Sequence, residues 1–337
     1  SKTGDAGDVI WTAYLTNDIT APSATSLLTL SGRDFLTFKN LLMVGGTGTV
    51  SVVDGTATNS VNIVFRDCAF LHLSTGSTIA YTGVADAASN WTVDRCQFSG
   101  PGISTSATII SIVLPTSASA DYDSNFLIQN CTTKGMGIAV NINSSGAASF
   151  KGGGVDIFNC GFVFLSSTGV RLQGTNLSTS IPSTIYNSAI WTAQTGLNAG
   201  ASGQLLEDNN RIFASTARTN VSAGASSVAD NSHAPLIEFG YELIAGRQLR
   251  PLGMPMAGSP LLGRGNTAGG PTVDILNRPR PAGGESTSYA WGAYERHDMA
   301  AKETSVVQAG ATAAKIVGPG DQDILIPVDA SSTTISV

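Results

Sequence analysis

The sequence has 337 residues, a formal net charge of −6, 42% hydrophobic residues and only 12% charged residues. The acidic balance and the lack of a basic stripe argue against a nucleic-acid partner, because phosphates would meet few cations. No run of 18 apolar residues predicts a membrane-spanning helix. The abundance of Gly, Ser, Thr and Asn favours β-structure with many turns over helices.

A repeated phrase begins after a predicted N-terminal lead-in at residues 1–24. Strand-like residues lead to a polar residue, which we call the anchor, and a small apolar residue follows it. Clear copies are "VNIVFRDCAF" at 61–70, "WTVDRCQF" at 91–98, "FLIQNCTT" at 126–133 and "VDIFNCGFVF" at 155–164. The anchors are Asn40, Asp67, Arg95, Asn130, Asn159 and Asn187, at steps of 27, 28, 35, 29 and 28 residues. This irregular period predicts the coils of a parallel β-solenoid over residues 25–230.

The apolar positions change phase at each anchor. Ile63 and Phe65 lie at even distances before Asp67, whereas Cys68 and Phe70 lie at odd distances after it. Alternation marks a strand with one buried face, so the phase change predicts a bend at the anchor. Asn and Asp tolerate the left-handed backbone of such a bend, and stacked Asn side chains could form an amide ladder. Arg95 does not fit this scheme.

The cysteines share one position, directly after an anchor. They are Cys68, Cys96, Cys131 and Cys160. The shared inward position predicts buried free thiols that act as small hydrophobic side chains. A disulfide between stacked coils is the alternative, although the Cβ vectors would run parallel. A metal site is disfavoured by the absence of a Cys-x-x-Cys motif, and we predict neither a metal nor a cofactor.

The C-terminal part carries a second signature. "SPLLGRGN" at 259–266, "VDILNRPRP" at 273–281 and "WGAYE" at 291–295 resemble the closing segment of many bacterial and phage β-helix proteins. The matching residues are Ser259-Pro260, Asp274, Arg278-Pro279-Arg280-Pro281 and Gly292-Ala293-Tyr294-Glu295. The departures are Leu262-Gly263-Arg264 for an Asp-Ala-Gly turn, Asn277 for a Gly, and Ala290-Trp291 for Asp-Ile.

Together with the repeated phrase, this segment resembles the right-handed parallel β-helix (pectate-lyase-like) superfamily of phage virion and bacterial surface proteins. The resemblance implies an all-β, right-handed parallel β-helix whose closing segment spans residues 231–297. Trimeric association, which is common in phage β-helix proteins, is a further implication. Residues 298–337 are predicted to start an additional β-sandwich-like module, and we expect the chain to be a piece of a longer polypeptide.

Candidate catalytic residues are few. Enzymes of this superfamily cleave polysaccharides, which requires converging carboxylates or carboxylates around Ca²⁺ with a nearby base. Asp121 and Asp123 could share a face, but a solvated loop is the more ordinary role for them. Glu207 and Asp208 are adjacent, so they point to opposite faces of a strand. His72 could lie on a lateral face, although a surface or turn position is the more ordinary one.

The residue before each anchor should point outward. These residues are Lys39, Arg66, Asp94, Gln129, Phe158 and Tyr186. With Trp191 nearby, the aromatic end of this series could stack on a glycan or dock a protein. Coverage by a loop or by the segment after residue 230 is the alternative.

Three functions are compatible with these observations. The favoured one is a non-enzymatic structural or adhesive protein on the exterior of a particle or cell, such as a phage capsid decoration, fibre or tail spike. The second is a polysaccharide lyase or glycoside hydrolase with a loop-built or inter-subunit site. The third is a bacterial surface adhesin or carbohydrate-binding module. The expected partners are other virion or cell-surface proteins, and surface polysaccharide under the adhesive alternatives.

Overall fold

A computed structural model describes the backbone of residues 9–11, 14–16, 26–45, 50–56, 60–83, 87–100, 107–117, 120–146, 151–230, 237–239, 252–255, 261–267, 270–280, 289–295, 313–317 and 323–327. Strands are numbered β1 to β29 along the chain. Three long parallel sheets stack along the described part as a β-solenoid, which confirms the predicted all-β fold class. Within these residues no helix is present that could cross a lipid bilayer.

The first sheet has eight parallel strands, of which β4 and the later ones end directly before an anchor or, for β22, before Asn209. They are β1 (Val9–Trp11), β4 (Leu36–Lys39), β7 (Ile63–Arg66), β10 (Thr92–Asp94), β13 (Tyr122–Gln129), β16 (Gly152–Phe158), β19 (Ser183–Tyr186) and β22 (Leu205–Asp208).

The second sheet has nine strands, which begin two residues after each anchor where an anchor is present. They are β2 (Tyr14–Thr16), β5 (Leu42–Gly45), β8 (Ala69–His72), β11 (Gln97–Ser99), β14 (Thr132–Lys134), β17 (Gly161–Leu165), β20 (Ala189–Thr192), β23 (Arg211–Phe213) and β25 (Val228–Asp230). Strands β1 and β2 lie inside the predicted lead-in but pair with β4 and β5, so the solenoid begins before residue 25.

The third sheet closes each coil with another eight strands. They are β3 (Leu28–Thr29), β6 (Ser51–Gly55), β9 (Ser77–Thr82), β12 (Thr108–Pro115), β15 (Ile138–Ser145), β18 (Thr168–Gln173), β21 (Thr195–Asn198) and β24 (Thr216–Thr219). Two antiparallel hairpins follow, β26 (Ile237–Phe239) with β27 (Leu252–Pro255) and β28 (Ala313–Val317) with β29 (Asp323–Pro327). The second hairpin lies within residues 298–337, where the β-sandwich-like module stays a prediction.

The core runs along the solenoid as stacks of like side chains. Phe38 stacks on Phe65 with ring centroids 4.9 Å apart, and Phe70 stacks on Phe98 at 4.8 Å. These separations match the spacing of neighbouring strands, about 4.8 Å, because each coil places its side chain directly over the last. All four cysteines are free and buried in the same interior. The repeated phrase therefore encodes one rung of a continuous core.

The backbone at every anchor adopts the left-handed conformation that the phase change requires. The φ angles lie between 50° and 56° at Asn40, Asp67, Arg95, Asn130, Asn159 and Asn187. A left-handed residue turns the chain sharply between two strands, and Asn or Asp adopts it at little cost. One bend residue is thus enough to pass from the first sheet to the second.

The closing segment is held by a buried ion-pair network. Arg278 pairs with Asp274 at 2.6 Å, and Arg280 pairs with Glu295 at 2.9 Å. Arg280 also donates to the amide oxygen of Asn130 at 3.3 Å, which ties the segment to an anchor of the solenoid. Burial raises the pKa of Glu295 and lowers that of Arg280. The described residues of the signature therefore have a structural role, while Ser259, Pro260 and Pro281 lie outside the described residues.

Candidate functional site

The outward residues before the anchors form a straight line on the first sheet. Strand pairing places them directly over one another, and we call the line Lys39, Arg66, Asp94, Gln129, Phe158 and Tyr186 the outer column. Successive members are one strand apart, or about 4.8 Å. The outer column therefore changes from charged to aromatic along the solenoid axis.

The charged end of the outer column is an ion-pair network. Arg66 contacts Asp94 at 3.1 Å, and the side chains of Arg66 and Lys39 are 42% and 41% exposed. Arg95 contacts both Asp67, at 2.6 Å, and Asp94, at 3.2 Å. The hydrogen bond to Asp67 is the main reason that the pKa of Arg95 is raised. An arginine occupies this anchor because two neighbouring carboxylates offset the cost of its left-handed backbone.

The aromatic end of the outer column is a pair of partly buried rings. Phe158 and Tyr186 have centroids 6.1 Å apart and an interplanar angle of 27°. Trp191 lies on the second sheet, where it contacts Phe164 at 4.3 Å between centroids. The three predicted ligand-binding aromatics therefore do not share one sheet, and only Phe158 and Tyr186 belong to the same face.

Phe164 occupies an irregular position beside Trp191. Its φ angle is 55°, which is uncommon for a bulky residue, and the pairing of β17 with β20 shifts register between Phe162 and Leu165. A β-bulge of this kind redirects a side chain. Here the bulge brings the ring of Phe164 against Trp191, next to a cluster that includes Trp291 of the closing segment.

The closing segment lies against the second sheet and the bend beside the outer column. Leu261 and Trp291 pack on Ala189 and its neighbours Val163 and Phe213. The backbone of Asn266 exchanges two hydrogen bonds with the Asn187 side chain, at 2.7 and 2.8 Å. The segment after residue 230 therefore covers part of the outer surface near the aromatic patch. Such coverage is the alternative to ligand binding by that patch.

The anchors do not form the expected amide ladder. Asn187 bonds to Asn266, Asn130 bonds to Arg280, and the amide of Asn159 has no hydrogen-bond partner among the described residues. The closing segment competes for these amides because it crosses directly above them. The bend itself needs only the backbone conformation of Asn, and not the ladder.

An amide ladder does exist at the opposite end of the first-sheet strands. Asn90 donates to Asn62 at 3.0 Å, and Asn125 donates to Asn90 at 2.5 Å. All three residues have φ angles near 50°. The sequence signal is an Asn five residues before the anchor in three successive coils, which the alignment on the anchors could have revealed.

The carboxylates proposed for catalysis hold the structure together. Asp121 accepts hydrogen bonds from the Lys151 backbone at 2.8 Å and from the Ser178 hydroxyl at 2.7 Å. The Ser178 bond is the main reason that its pKa is lowered. Asp123 lies in strand β13, rather than in a loop, and accepts from the backbone of Asn125 at 2.7 Å. These two carboxylates therefore accept different local hydrogen bonds.

His72 differs from the surface position that we favoured. Its side chain is fully buried at the end of β8, and its Nδ1 lies 3.4 Å from the Thr78 hydroxyl. Leu71 takes the outward position of that strand instead. The alternation of β8 continues through His72, so the ring points into the solenoid and away from any ligand on the outer surface.

Neither a metal centre nor a known relative accounts for these features. The described residues contain no group of three or more His, Cys, Asp or Glu side chains that could hold a metal ion. The chain matches no protein-family model, no curated protein and no solved structure. The candidate site is therefore the outer column, defined by its own geometry alone.

Proposed function

We propose that the chain is a non-enzymatic structural member of the right-handed parallel β-helix superfamily, on the exterior of a particle or cell. In this proposal it is a bacteriophage virion component, such as a capsid decoration, a fibre or a tail spike. The resemblance of residues 259–295 to the closing segments of phage and bacterial β-helix proteins supports the assignment. Its partners are other virion or cell-surface proteins, and a homotrimer is the expected assembly.

The use of acidic side chains as braces between coils carries this proposal. The Asp34 carboxylate accepts from the backbone of Val61, 27 residues away, at 2.7 Å. The Asp156 carboxylate accepts from the Thr184 hydroxyl, 28 residues away. Asp121 is bonded in the same way to Lys151, one coil on. Such braces stiffen a rod, whereas a glycosidase needs two carboxylates free to exchange protons with a sugar.

A turnover assay tests the non-enzymatic part. The purified chain is incubated with a panel of neutral and acidic polysaccharides, and reducing ends and unsaturated products are measured. We expect no product above the level of heat-unfolded protein. Product release that disappears in the Asp121→Asn variant but persists in Asp34→Asn would instead support the lyase or hydrolase alternative. Immunogold electron microscopy of the source particle then tests the exterior location.

The outer column supports adhesion to a glycan as a second candidate function. Its stacked rings offer a platform for the apolar face of a sugar, and Arg66 and Lys39 offer exposed hydrogen-bond donors. A glycan array should show binding that is lost in Phe158→Ala and in Tyr186→Ala. Trp191→Ala serves as the comparison because that ring lies on another sheet. Absence of binding by the folded wild type would reject this second function and leave the first intact.

A further inference from the structure

The four cysteines form a thiol ladder that neither proposed function uses. They occupy the same inward position in successive coils. Backbone N–H groups of the following residues donate to the carbonyl of the cysteine one coil earlier, at 2.8 to 3.0 Å, from Gln97 to Cys68, Thr132 to Cys96, and Gly161 to Cys131. Each cysteine sulfur also lies 3.2 to 3.3 Å from the carbonyl oxygen two residues earlier, so the four side chains share one orientation. Neighbouring sulfurs are therefore one strand spacing, or about 4.8 Å, apart along the solenoid axis.

The thiol ladder is dry and uncharged. Its side chains belong to residues that are at most 2% exposed. The Cys131 thiol donates to the backbone carbonyls of Val93 and Gln129, at 3.4 and 3.2 Å. Any ligand of this ladder must leave the interior neutral.

The spacing disfavours a disulfide and suits a linear metal bridge. A disulfide needs sulfurs about 2.05 Å apart and Cβ atoms about 3.8 Å apart, closer than stacked coils allow. A metal ion with two opposite thiol ligands needs sulfurs separated by twice a bond of about 2.3 Å, or about 4.6 Å. That separation is nearly the strand spacing of about 4.8 Å, so the backbone need not move.

We propose that the thiol ladder binds monovalent thiophilic ions, Cu(I) or Ag(I), between Cys68 and Cys96 and between Cys131 and Cys160. Each ion displaces one proton from one thiol and forms a metal–thiolate bond, and the released proton passes to the solvent. The second thiol keeps its proton and donates a sulfur lone pair. The ion's positive charge and the thiolate's negative charge cancel, and no electron is transferred, so the pair stays neutral as the dry interior requires. Soft sulfur ligands select such ions, whereas Zn²⁺ requires four ligands.

Silver ions are the probe for this site because they are stable in the monovalent state. Native mass spectrometry of the reduced, folded chain should show two bound Ag⁺ per chain. The Cys96→Ala variant should bind one, and the double variant Cys96→Ala/Cys131→Ala should bind none because its remaining thiols are not neighbours. Met136→Leu, which removes a buried thioether and keeps all thiols, should still bind two.

Thermal unfolding separates a native site from reaction with unfolded thiols. A ligand that prefers the folded chain raises Tm, whereas one that prefers the unfolded chain lowers it. We expect Ag⁺ to raise the Tm of the wild type and to leave the double variant unchanged. A lowered Tm, equal uptake by the folded double variant, or no uptake by the folded wild type would each overturn the proposal. If the double variant does not fold, the drop from two ions to one in Cys96→Ala decides.

Discussion

The middle coils and the last described three-stranded coil of the solenoid core differ in chemistry. In the coils of β7 to β15 the interior holds stacked aromatic rings, such as Trp91 on Phe126 with centroids 5.7 Å apart. In the coil of β22 to β24, Glu207 stands where Ile185 stood one coil earlier, and Arg218 stands where Leu197 stood. Two inward positions that are apolar in the preceding coil are thus charged in this coil. Their buried ion pair closes the stack of coils.

We call the charged end the polar plug, and its hydrogen bonds are numerous. The Glu207 carboxylate accepts from Arg218 at 2.7 Å, from the Gly224 backbone at 2.8 Å, from Asn210 at 2.9 Å and from the Ser227 hydroxyl at 2.5 Å. A buried carboxylate is tolerable only when its oxygens are satisfied in this way.

The contrast shows how a repeating core can stop. Apolar rungs favour another apolar rung on top, and exposed strand edges invite further pairing. The polar plug makes a further apolar rung unfavourable, because it places the charged side chains of Glu207 and Arg218 at the inward positions. The aromatic coils therefore supply burial energy, and the polar plug marks the end of the stack.

Trp91→Ala should have the largest effect. The side chain is fully buried, contacts Phe65, Tyr81 and Phe126, and donates to the carbonyl of Ser60 at 2.7 Å. Removing a buried aromatic ring costs about 3–5 kcal/mol. Urea unfolding followed by circular dichroism measures the loss. The exposed Leu206→Ala is the control, and equal losses in the two variants would contradict a core built on aromatic stacks.

Glu207→Leu should cost slightly less, about 3 kcal/mol, because Arg218 would keep its charge without its partner. The double variant Glu207→Leu/Arg218→Leu should recover much of that loss, since two apolar side chains can pack as Ile185 and Leu197 do. The same urea experiment measures both. A double variant that is less stable than the single one would show that the ion pair itself stabilises the end.

Asn90→Gly should cost about 1–2 kcal/mol. Glycine keeps the left-handed backbone at low strain but removes two amide hydrogen bonds of the ladder, to Asn62 and from Asn125. Asn220→Gly, at a bend of the plug end with one amide bond to Ala199, is the matched variant and should cost less. Melting temperatures of the two variants give the comparison, and the reverse order would refute it.

Asp156→Asn should have the smallest effect, a slight stabilisation at neutral pH, because Asp156 is partly exposed and solvent screens its charge. Burial raises the pKa of Asp156 above its ordinary 3.8, and the nearby charge of Asp123 adds to this. A raised pKa in the folded state means that the wild type loses stability as pH rises through that value. The advantage of the variant should therefore vanish below pH 3.8. Tm measured across acid to neutral pH tests this, and a destabilised variant at neutral pH would contradict it.

Local periodicity explains which parts of this fold the sequence predicts. The inward positions around Asp67 and Asn159 follow from alternation and a bend, which are properties of neighbouring residues. The contact of Arg280 with Asn130 joins residues 150 positions apart, and no local pattern identifies that partner. No local pattern identifies Asn266 as the partner of Asn187 either. The amide ladder predicted at the anchors was wrong because the amides of Asn130 and Asn187 bond to the closing segment instead.

Charges within the repeat were equally hard to interpret from the sequence. Arg95 broke the anchor pattern, because its compensation comes from Asp67 in the previous coil as well as from Asp94 beside it. Glu207 has the inward orientation that alternation predicts, opposite to Asp208, but its partner Arg218 becomes visible only once β24 is placed in the third sheet. Alternation predicted the members of the outer column. Trp191, which was grouped with its aromatic end, lies on the second sheet instead.

The bend at the anchor also determines where this molecule can accept new sequence. Exactly two residues separate every first-sheet strand from the next second-sheet strand between β4 and β23, as between Arg66 and Ala69. The connection from the second to the third sheet varies instead, from two residues after Leu165 to eleven after Thr16. A peptide or tag inserted between the second and third sheets would therefore project sideways and leave the register of the coils unchanged. One residue added at an anchor would instead rotate every later coil relative to the earlier ones.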